Sequence, residues 1–494
     1  MKTMSCLKPK RNHLQLGRRF FSRTRPAQFP EQTIRYQQLG WAQRLGLGHL
    51  AADDSQWCAH FADFKPINGS LKAPLALHYH GHQFGSYNPQ LGDGRGFLYA
   101  QLEDPLDGRL LDLGTKGSGT TPFSRGADGR LTLKGAVREI LATEMLEALG
   151  VNTSKTFSVI ETGEALERHD EPSPTRAAVL VRLSHGHIRI GSFQRLAYLD
   201  DRVGLEKLLR YAAVTYPDPA LADAATLPVA ALAEAFIATV ASRLAHLTAN
   251  WMAAGFVHGV LNTDNYNISG ESFDYGPWRF LHQLDPGFTA AYFDQLGRYA
   301  FGRQPEAGFW AVCRLADCFT ALVAMESLER AVLQFSHTME RAVIVSVCRR
   351  LGIDPDWPDA ALMTEQLMMA IRNSGIGYES VFFDWYGGAV RADQAMQGPQ
   401  RAEYTTAVFR KAVDMLHNAP MAAAATPHHR YFCRQSPCTM LIEQVEAIWK
   451  PIAERDDWTV LEAKLAEIHL MAEAYAATKP VSQARLGGIS AKSV

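Results

Sequence analysis

The chain has 494 residues, 47% hydrophobic and 20% charged, with 50 Lys+Arg against 51 Asp+Glu and a formal net charge of -1. This is the composition of a globular protein rather than a disordered chain, and it lacks the basic excess of a nucleic-acid binder, so no nucleic-acid partner is expected. No run of eighteen apolar residues occurs, so no membrane span is expected, and the length exceeds one hydrophobic core, which predicts two lobes around a cleft.

The first thirty residues carry Lys2, Lys8, Lys10, Arg11, Arg18, Arg19, Arg23 and Arg25 with no acid before Glu31. We read them as a basic arm at the start of the fold rather than an organellar presequence. Cys6, Cys58, Cys313, Cys318, Cys348, Cys433 and Cys438 are too few and scattered for a disulfide framework. Cys313/Cys318 and Cys433/Cys438 also lack zinc-site spacing. A reducing cytoplasm is the expected location.

Residues 1–75 show no long periodic segment and are read as an N-terminal extension packed on the lobes. Residues 76–205 are read as one lobe. Within it Phe97–Leu102 and Leu110–Lys116 predict two strands joined by a turn at Asp107-Gly108. Apolar residues at helical spacing predict a helix over 133–149, capped by Gly150 and carrying Arg138 and Glu139. Further strands are predicted at Thr156–Glu161 and Ala177–Leu183.

Residues 206–350 are read as a mainly helical lobe, led by a stripe from Val229 to Trp251 and interrupted at Gly255–Phe280. Residues 351–494 are read as a helical C-terminal extension. Helices are predicted at about 309–351, 360–373, 403–417 and 439–475, with a polar tail over 476–494. The fold class expected is α+β.

Four constellations carry chemistry. Gly92-Asp93-Gly94-Arg95-Gly96 precedes a strand; its glycines let backbone approach phosphates and Arg95 adds a matched donor, although such a tract is also simply a tight turn. Lys116, ending a strand, and Glu139, on the next helix, can pair and hold the ammonium toward nucleotide phosphates; the alternative is two unrelated surface charges. Between them Gly117–Thr121 and Asp128-Gly129-Arg130 form a flexible polar segment.

Arg182 and Arg189 bracket Ser184-His185-Gly186-His187, and a guanidinium ending an apolar strand needs an anionic partner, either phosphate or a structural carboxylate. Last, His258–Asn265 stands nine residues before Asp274-Tyr275-Gly276. Asn265 and Asp274 supply the hard oxygens that Mg²⁺ prefers, and Asp264 is a candidate general base or organiser of the metal site. In phosphotransferases with a His-Gly-Asp loop the base lies two residues after the histidine. Here that place is Val260, which accepts no proton, so ordinary kinase chemistry is disfavoured.

These segments, with Tyr79–Gly85, Gln90–Gly96, Lys116–Arg125 and Phe273–Pro277, resemble the selenoprotein O (YdiU) family of protein adenylyltransferases over roughly residues 15–310. The resemblance implies a protein-kinase-like two-lobed fold, with a small mixed sheet plus helix in the N-lobe and a mainly helical C-lobe. ATP would lie in a flipped orientation and AMP would pass to Ser, Thr or Tyr hydroxyls of proteins, with Mg²⁺ or Mn²⁺. It further implies that Gly92, Gly94, Arg95, Lys116, Asp128, Gly129, Arg182, Arg189 and Asp274 contact nucleotide, with Glu139 as ion-pair partner of the lysine. Asp264 would be the proton acceptor, and Asn265 and Asp274 the metal ligands. A monomer is expected.

Departures are His80, where a small residue is usual, Gln194, where an acid is common, and the chain after about residue 320, which does not match the family's usual C-terminal segment. No thiol lies near the C-terminus, since the last cysteine is Cys438, so redox control from that end is not expected. Manganese-dependent uridylyl transfer and a catalytically silent nucleotide-binding pseudokinase scaffold are the competing readings.

Overall fold

The computed structural model describes residues 7–169 and 171–476; the predicted polar tail and the first residues of the basic arm lie outside them. Among the described residues thirteen strands precede or interrupt the helices. They are β1 (Pro9–Lys10), β2 (Phe21–Arg23), β3 (Thr33–Gln37), β4 (Leu75–Leu77), β5 (Gly81–Gln83), β6 (Ser86–Asn88), β7 (Leu98–Glu103), β8 (Leu110–Lys116), β9 (Leu131–Thr132), β10 (Lys155–Leu166), β11 (Thr175–Ser184), β12 (Phe256–Val257) and β13 (Arg279–Phe280).

Nine of them make one antiparallel sheet in the order β2-β4-β7-β8-β11-β10-β3, with β1 on β7 and β9 on β11. The sheet is larger than the small one expected. Residues 9–37, read from sequence as an extension, supply three of its strands.

The two faces of the sheet follow from alternation along β11 and, across register shifts near Phe157 and Ile160, along β10. Phe157, Ile160, Val179 and Val181 point to one side, where α1 (Leu39–Arg44) and α2 (Asp54–Phe61) pack through Trp41, Trp57 and Phe61. Val159, Ala178 and Leu180 point to the other, onto α3 (Leu133–Ala148). Thr132 caps α3 by accepting from the Gly135 amide at 3.1 Å, and Gly150 takes the left-handed conformation (φ 80°) beyond its end.

The remaining helices are α4 (Ile190–Tyr198), α5 (Arg202–Thr215), α6 (Val229–Ala253), α7 (Gln304–Asp317), α8 (Met325–Leu351), α9 (Ala360–Arg372), α10 (Tyr378–Asp384), α11 (Ala392–Gln397), α12 (Arg401–Tyr404), α13 (Arg410–Asn418), α14 (Ile442–Arg455) and α15 (Thr459–Tyr475). By length and composition α6 could cross a membrane, yet its apolar residues are packed in the core with Ala311, Leu315, Leu328 and Phe335 of α7 and α8.

Three predicted helices are each broken in two. Residues 309–351 are interrupted after Asp317, where Phe319 and Val323 turn into the core, and 403–417 after Tyr404. Residues 439–475 are interrupted at Asp456, left-handed at φ 53°, and Asp457 accepts from the Thr459 amide to start α15. Apolar periodicity survives such a turn, so it does not reveal the break.

Helix α15 returns to α3. Buried Glu144 accepts from the Tyr36 hydroxyl at 2.6 Å and from Gln38 at 2.9 Å, and meets His469 Nε2 at 3.0 Å. Glu144, with Glu147 and Glu473 nearby, raises the His469 pKa above its usual 6.5. For Glu144 burial alone would raise the pKa, but His469, Tyr36 and Gln38 lower it overall.

The histidine's contribution is therefore complete below 6.5 and is lost as pH rises through its folded value, while that of Glu144 is lost in acid. We expect amide exchange in α15, corrected for the intrinsic pH effect, to accelerate as pH rises above about 6.5. His469→Gln should flatten that dependence.

Candidate active site

The main sheet places the end of β8 beside β11. Register pairs Lys116 with Leu180 and Arg182 with Gly114, so Lys116 and Arg182 project from the same face as Leu180, toward α3. Gly114 leaves room there, since a Cβ on it would lie 2.3 Å from His187 Nε2. Lys116 Nζ meets Glu139 Oε1 at 2.5 Å and Asp274 Oδ1 at 2.8 Å, and Arg182 Nη2 meets the same Asp274 oxygen at 3.2 Å. The pair predicted between strand and helix is thus formed, and it extends to a second carboxylate, Asp274.

Asp274 arrives from the other half of the molecule. The β12–β13 ribbon pairs Phe256 with Phe280 and pins both ends of the intervening loop. Buried His258 ties the loop across its middle, Nε2 meeting the Phe273 carbonyl at 3.1 Å. Asp274 is left-handed at φ 64°, a conformation that costs an aspartate free energy and is kept where surroundings impose it. Asn265 donates from Nδ2 to the Val260 carbonyl at 3.0 Å, which leaves its oxygen as the available acceptor.

The two aspartates of this loop are pushed apart. Burial raises the Asp264 pKa to about 6, with Asp274 adding to the rise and Arg189 opposing it. Burial would raise Asp274 too, but Lys116, Arg182 and Arg95 hold it well below the usual carboxylate range. Asp264 Oδ1 is buried with no hydrogen-bond partner among the described residues, as are Nε of Arg182 and Nε of Arg189. Buried polar atoms are normally partnered, so these three, gathered around one loop, are open to a ligand.

Arg189 is held by Asp264 and by groups to which sequence reasoning gave no role. Its guanidinium stacks 4.2 Å from the Tyr79 ring and 4.9 Å from Phe273, donates to the Asp264 carbonyl at 3.2 Å and faces Asp93 at 3.5 Å. Asp93 was visible only as the middle of the glycine tract; burial raises its pKa despite Arg189.

That tract is locked to its neighbours. The Gly117 amide donates to the Arg95 carbonyl at 2.7 Å, and Thr121 and Ser124 hydroxyls donate to the Asp93 and Gly94 carbonyls. A Cβ on Gly92 would fall 2.3 Å from the Phe123 ring.

Asp128 is not brought into the cluster. It stands exposed, bound to Arg168 at 2.9 Å, while Gly129, at φ 69°, packs on Gly119. Arg95 is exposed at the rim, reaching Asp274 only through its charge. The departures His80 and Gln194 share one network: Gln194 meets His82 at 2.7 Å and accepts from Thr263 at 2.6 Å, while Tyr87 links His80 (2.8 Å) to the Gln194 carbonyl (3.2 Å). An amide both donates and accepts there, which a carboxylate cannot do.

Elsewhere Asp104, Asp107 and His185 place ligand atoms within 4.8 Å of one another, but Asp104 already gives both carboxylate oxygens to Arg44, and we assign it no metal.

A family model described as protein adenylyltransferase SelO matches residues 5–469. The match extends far beyond residue 320, so the C-terminal helices, read from sequence as departing from the family, lie within its pattern. Among similar proteins, a protein nucleotidyltransferase YdiU of Synechocystis sp. is 39% identical over 465 residues, covering 90% of this chain and 94% of its own. Those of Gloeobacter violaceus and Trichormus variabilis are 40% and 37% identical, each over 90% of this chain and over 91% and 92% of their own lengths.

Removing one partner from a buried charge cluster strands the others. Lys116→Met should therefore lower stability by about 3–5 kcal/mol, read from urea unfolding followed by tryptophan fluorescence.

Proposed function

This chain belongs to the SelO family of protein adenylyltransferases, and we propose that it transfers AMP from ATP to a Ser, Thr or Tyr hydroxyl of a protein, releasing pyrophosphate. It is a nucleotidyltransferase; the acceptor type, the kinase-like description of its two lobes, its expected monomeric state and its action in a reducing cytoplasm are our reading. The observation that carries the proposal is the convergence of Lys116, Arg182 and Arg189 on the loop holding Asp264, Asn265 and Asp274.

In this reading Lys116, kept in place by Glu139, and the two arginines bind the outer phosphates and neutralise charge on departing pyrophosphate. Gly92 and Gly94 let backbone approach the nucleotide, with Arg95 at the rim. Asp128 and Gly129 would close over it from the opposite loop. Asp264 accepts the proton of the attacking hydroxyl.

The donor set fits a divalent cation: an ionised carboxylate at Asp274, the amide oxygen of Asn265 and the unpartnered oxygen of Asp264 are all hard ligands. Asn265 and Asp274 would hold Mg²⁺ or Mn²⁺, which when bound would supply charge stabilisation at the phosphates. Val260, at the place of the kinase base, supports transfer of the nucleotidyl group over phosphoryl transfer.

With ATP labelled separately at the α and γ positions, only the α label should appear on protein; transfer of γ label alone would mean a kinase. Asp264→Asn should slow transfer by about 10²-fold or more while ATP still binds, and Asp274→Ala should abolish it. A preference for UTP with Mn²⁺ in competition would move the reading to uridylyl transfer, and absence of transfer in the unaltered protein would leave a binding scaffold.

A further inference from the structure

Beside the loop that holds Asp264, four large apolar side chains stand in the open: Phe84 at 37% exposure, Phe293 at 47%, Tyr292 at 84% and Leu296 at 92%. Singly exposed apolar residues are ordinary, whereas a contiguous group marks an interaction surface. Here the rings touch. Phe84 lies 5.7 Å from Phe293 and 4.9 Å from Tyr299, and Tyr292 meets Phe293 at 5.2 Å.

The exposure is built into the backbone. Phe84, at the tip of the β5–β6 hairpin, has φ 49°, a strained conformation for a phenylalanine. Its amide donates to Asn262 Oδ1 at 3.1 Å, and the Tyr299 hydroxyl donates to the same oxygen at 2.9 Å, two residues before Asp264. Buried Asp294 accepts from the amides of Arg298 at 2.9 Å and Tyr299 at 2.8 Å, closing the loop that turns Tyr292, Phe293 and Leu296 outward. The loop's inner edge lies on the same catalytic segment, since a Cβ on Gly259 would be 3.0 Å from that of Ala290. Arg298, stacked 5.0 Å over Trp310, makes no ion pair among the described residues.

We infer that this face seats the acceptor: an extended polypeptide segment with a large apolar side chain, and a carboxylate close to it, next to the hydroxyl that is modified. The inference rests on the adenylyl-transfer reading and adds recognition outside the nucleotide site. A protein hydroxyl must come within about 3–3.5 Å of the reacting phosphorus, so the chain flanking it has to cross the rim beside Asp264. The apolar face is continuous with that rim through Asn262, and Arg298 supplies the charge that a neighbouring carboxylate would answer.

The test uses the full-length protein, α-labelled ATP with Mg²⁺ or Mn²⁺, and two sets of synthetic peptides containing Ser, Thr and Tyr. In one set Leu and Asp flank the hydroxyl residue; in the other, Ser and Asn do. The unaltered protein should label the first set about tenfold faster. The double substitution Tyr292→Ser with Leu296→Ser, confined to solvent-facing side chains, should bring the preference to within about twofold without changing ATP affinity by direct titration.

Equal labelling of the two sets, survival of the preference in the double variant, or self-labelling with neither peptide set labelled would overturn the inference. So would a dimer in sedimentation that the double substitution converts to monomer, since the face would then belong to a second copy. Absence of every kind of transfer would instead sink the adenylyl-transfer reading itself.

Discussion

One lysine answering two carboxylates organises this molecule. Lys116 sits between Glu139 and Asp274, and Arg182 shares the second of them. Charges this deep cost several kcal/mol each unless partnered, so the cluster is tolerable only when all its members are in place. They come from β8, α3, β11 and the loop between β12 and β13, which are distant in sequence. The antiparallel register of β8 and β11, the cap of α3 and the short ribbon closing the loop therefore have to be right together.

The cluster's charges are nevertheless incompletely spent. Arg182 and Arg189 each keep a buried, unpartnered Nε, and Asp264 keeps an unpartnered oxygen. Donors on one side and an acceptor on the other is the asymmetry a site needs to hold an anion at one end and a hydroxyl proton at the other. Aromatic faces add to what ion pairs supply: Arg189 is held between Tyr79 and Phe273 by stacking, with Asp93 its one close carboxylate, at 3.5 Å, among the described residues. The result is a cation fixed in position that still keeps one donor, Nε, unspent among the described residues.

Much of this was legible in the chain. Lys116 at a strand end, Glu139 one helix later and Asn265 before Asp274 each follow from periodicity and turn chemistry, and all sit where such patterns put them. What stayed hidden depends on contacts between distant residues. Strands β1 to β3 are two to five residues long, too short for alternation to register, and owe their form to the sheet edges they pair with. Tyr79 and Phe273 look like ordinary core aromatics until the fold sets Arg189 between them. Asp128 is a nucleotide contact only through the family resemblance, and its pairing with Arg168, forty residues later, shows only in the fold.

The C-terminal helices lie within the family's pattern although no short motif marks them. Their residues contribute a face rather than chemistry: Trp449, Trp458 and Leu465 pack on the side of α3 that also meets the sheet, and His469 reaches Glu144. Such a role constrains shape and apolarity more than identity, so reading for short motifs passes over it. Helix α3 is consequently held by the sheet beneath it, by Tyr36 and Gln38 at its flank and by α15 across it. A rotation that withdrew Glu139 from Lys116 would also have to break the Glu144 network, which fixes α3 as a wall of the site rather than a movable part.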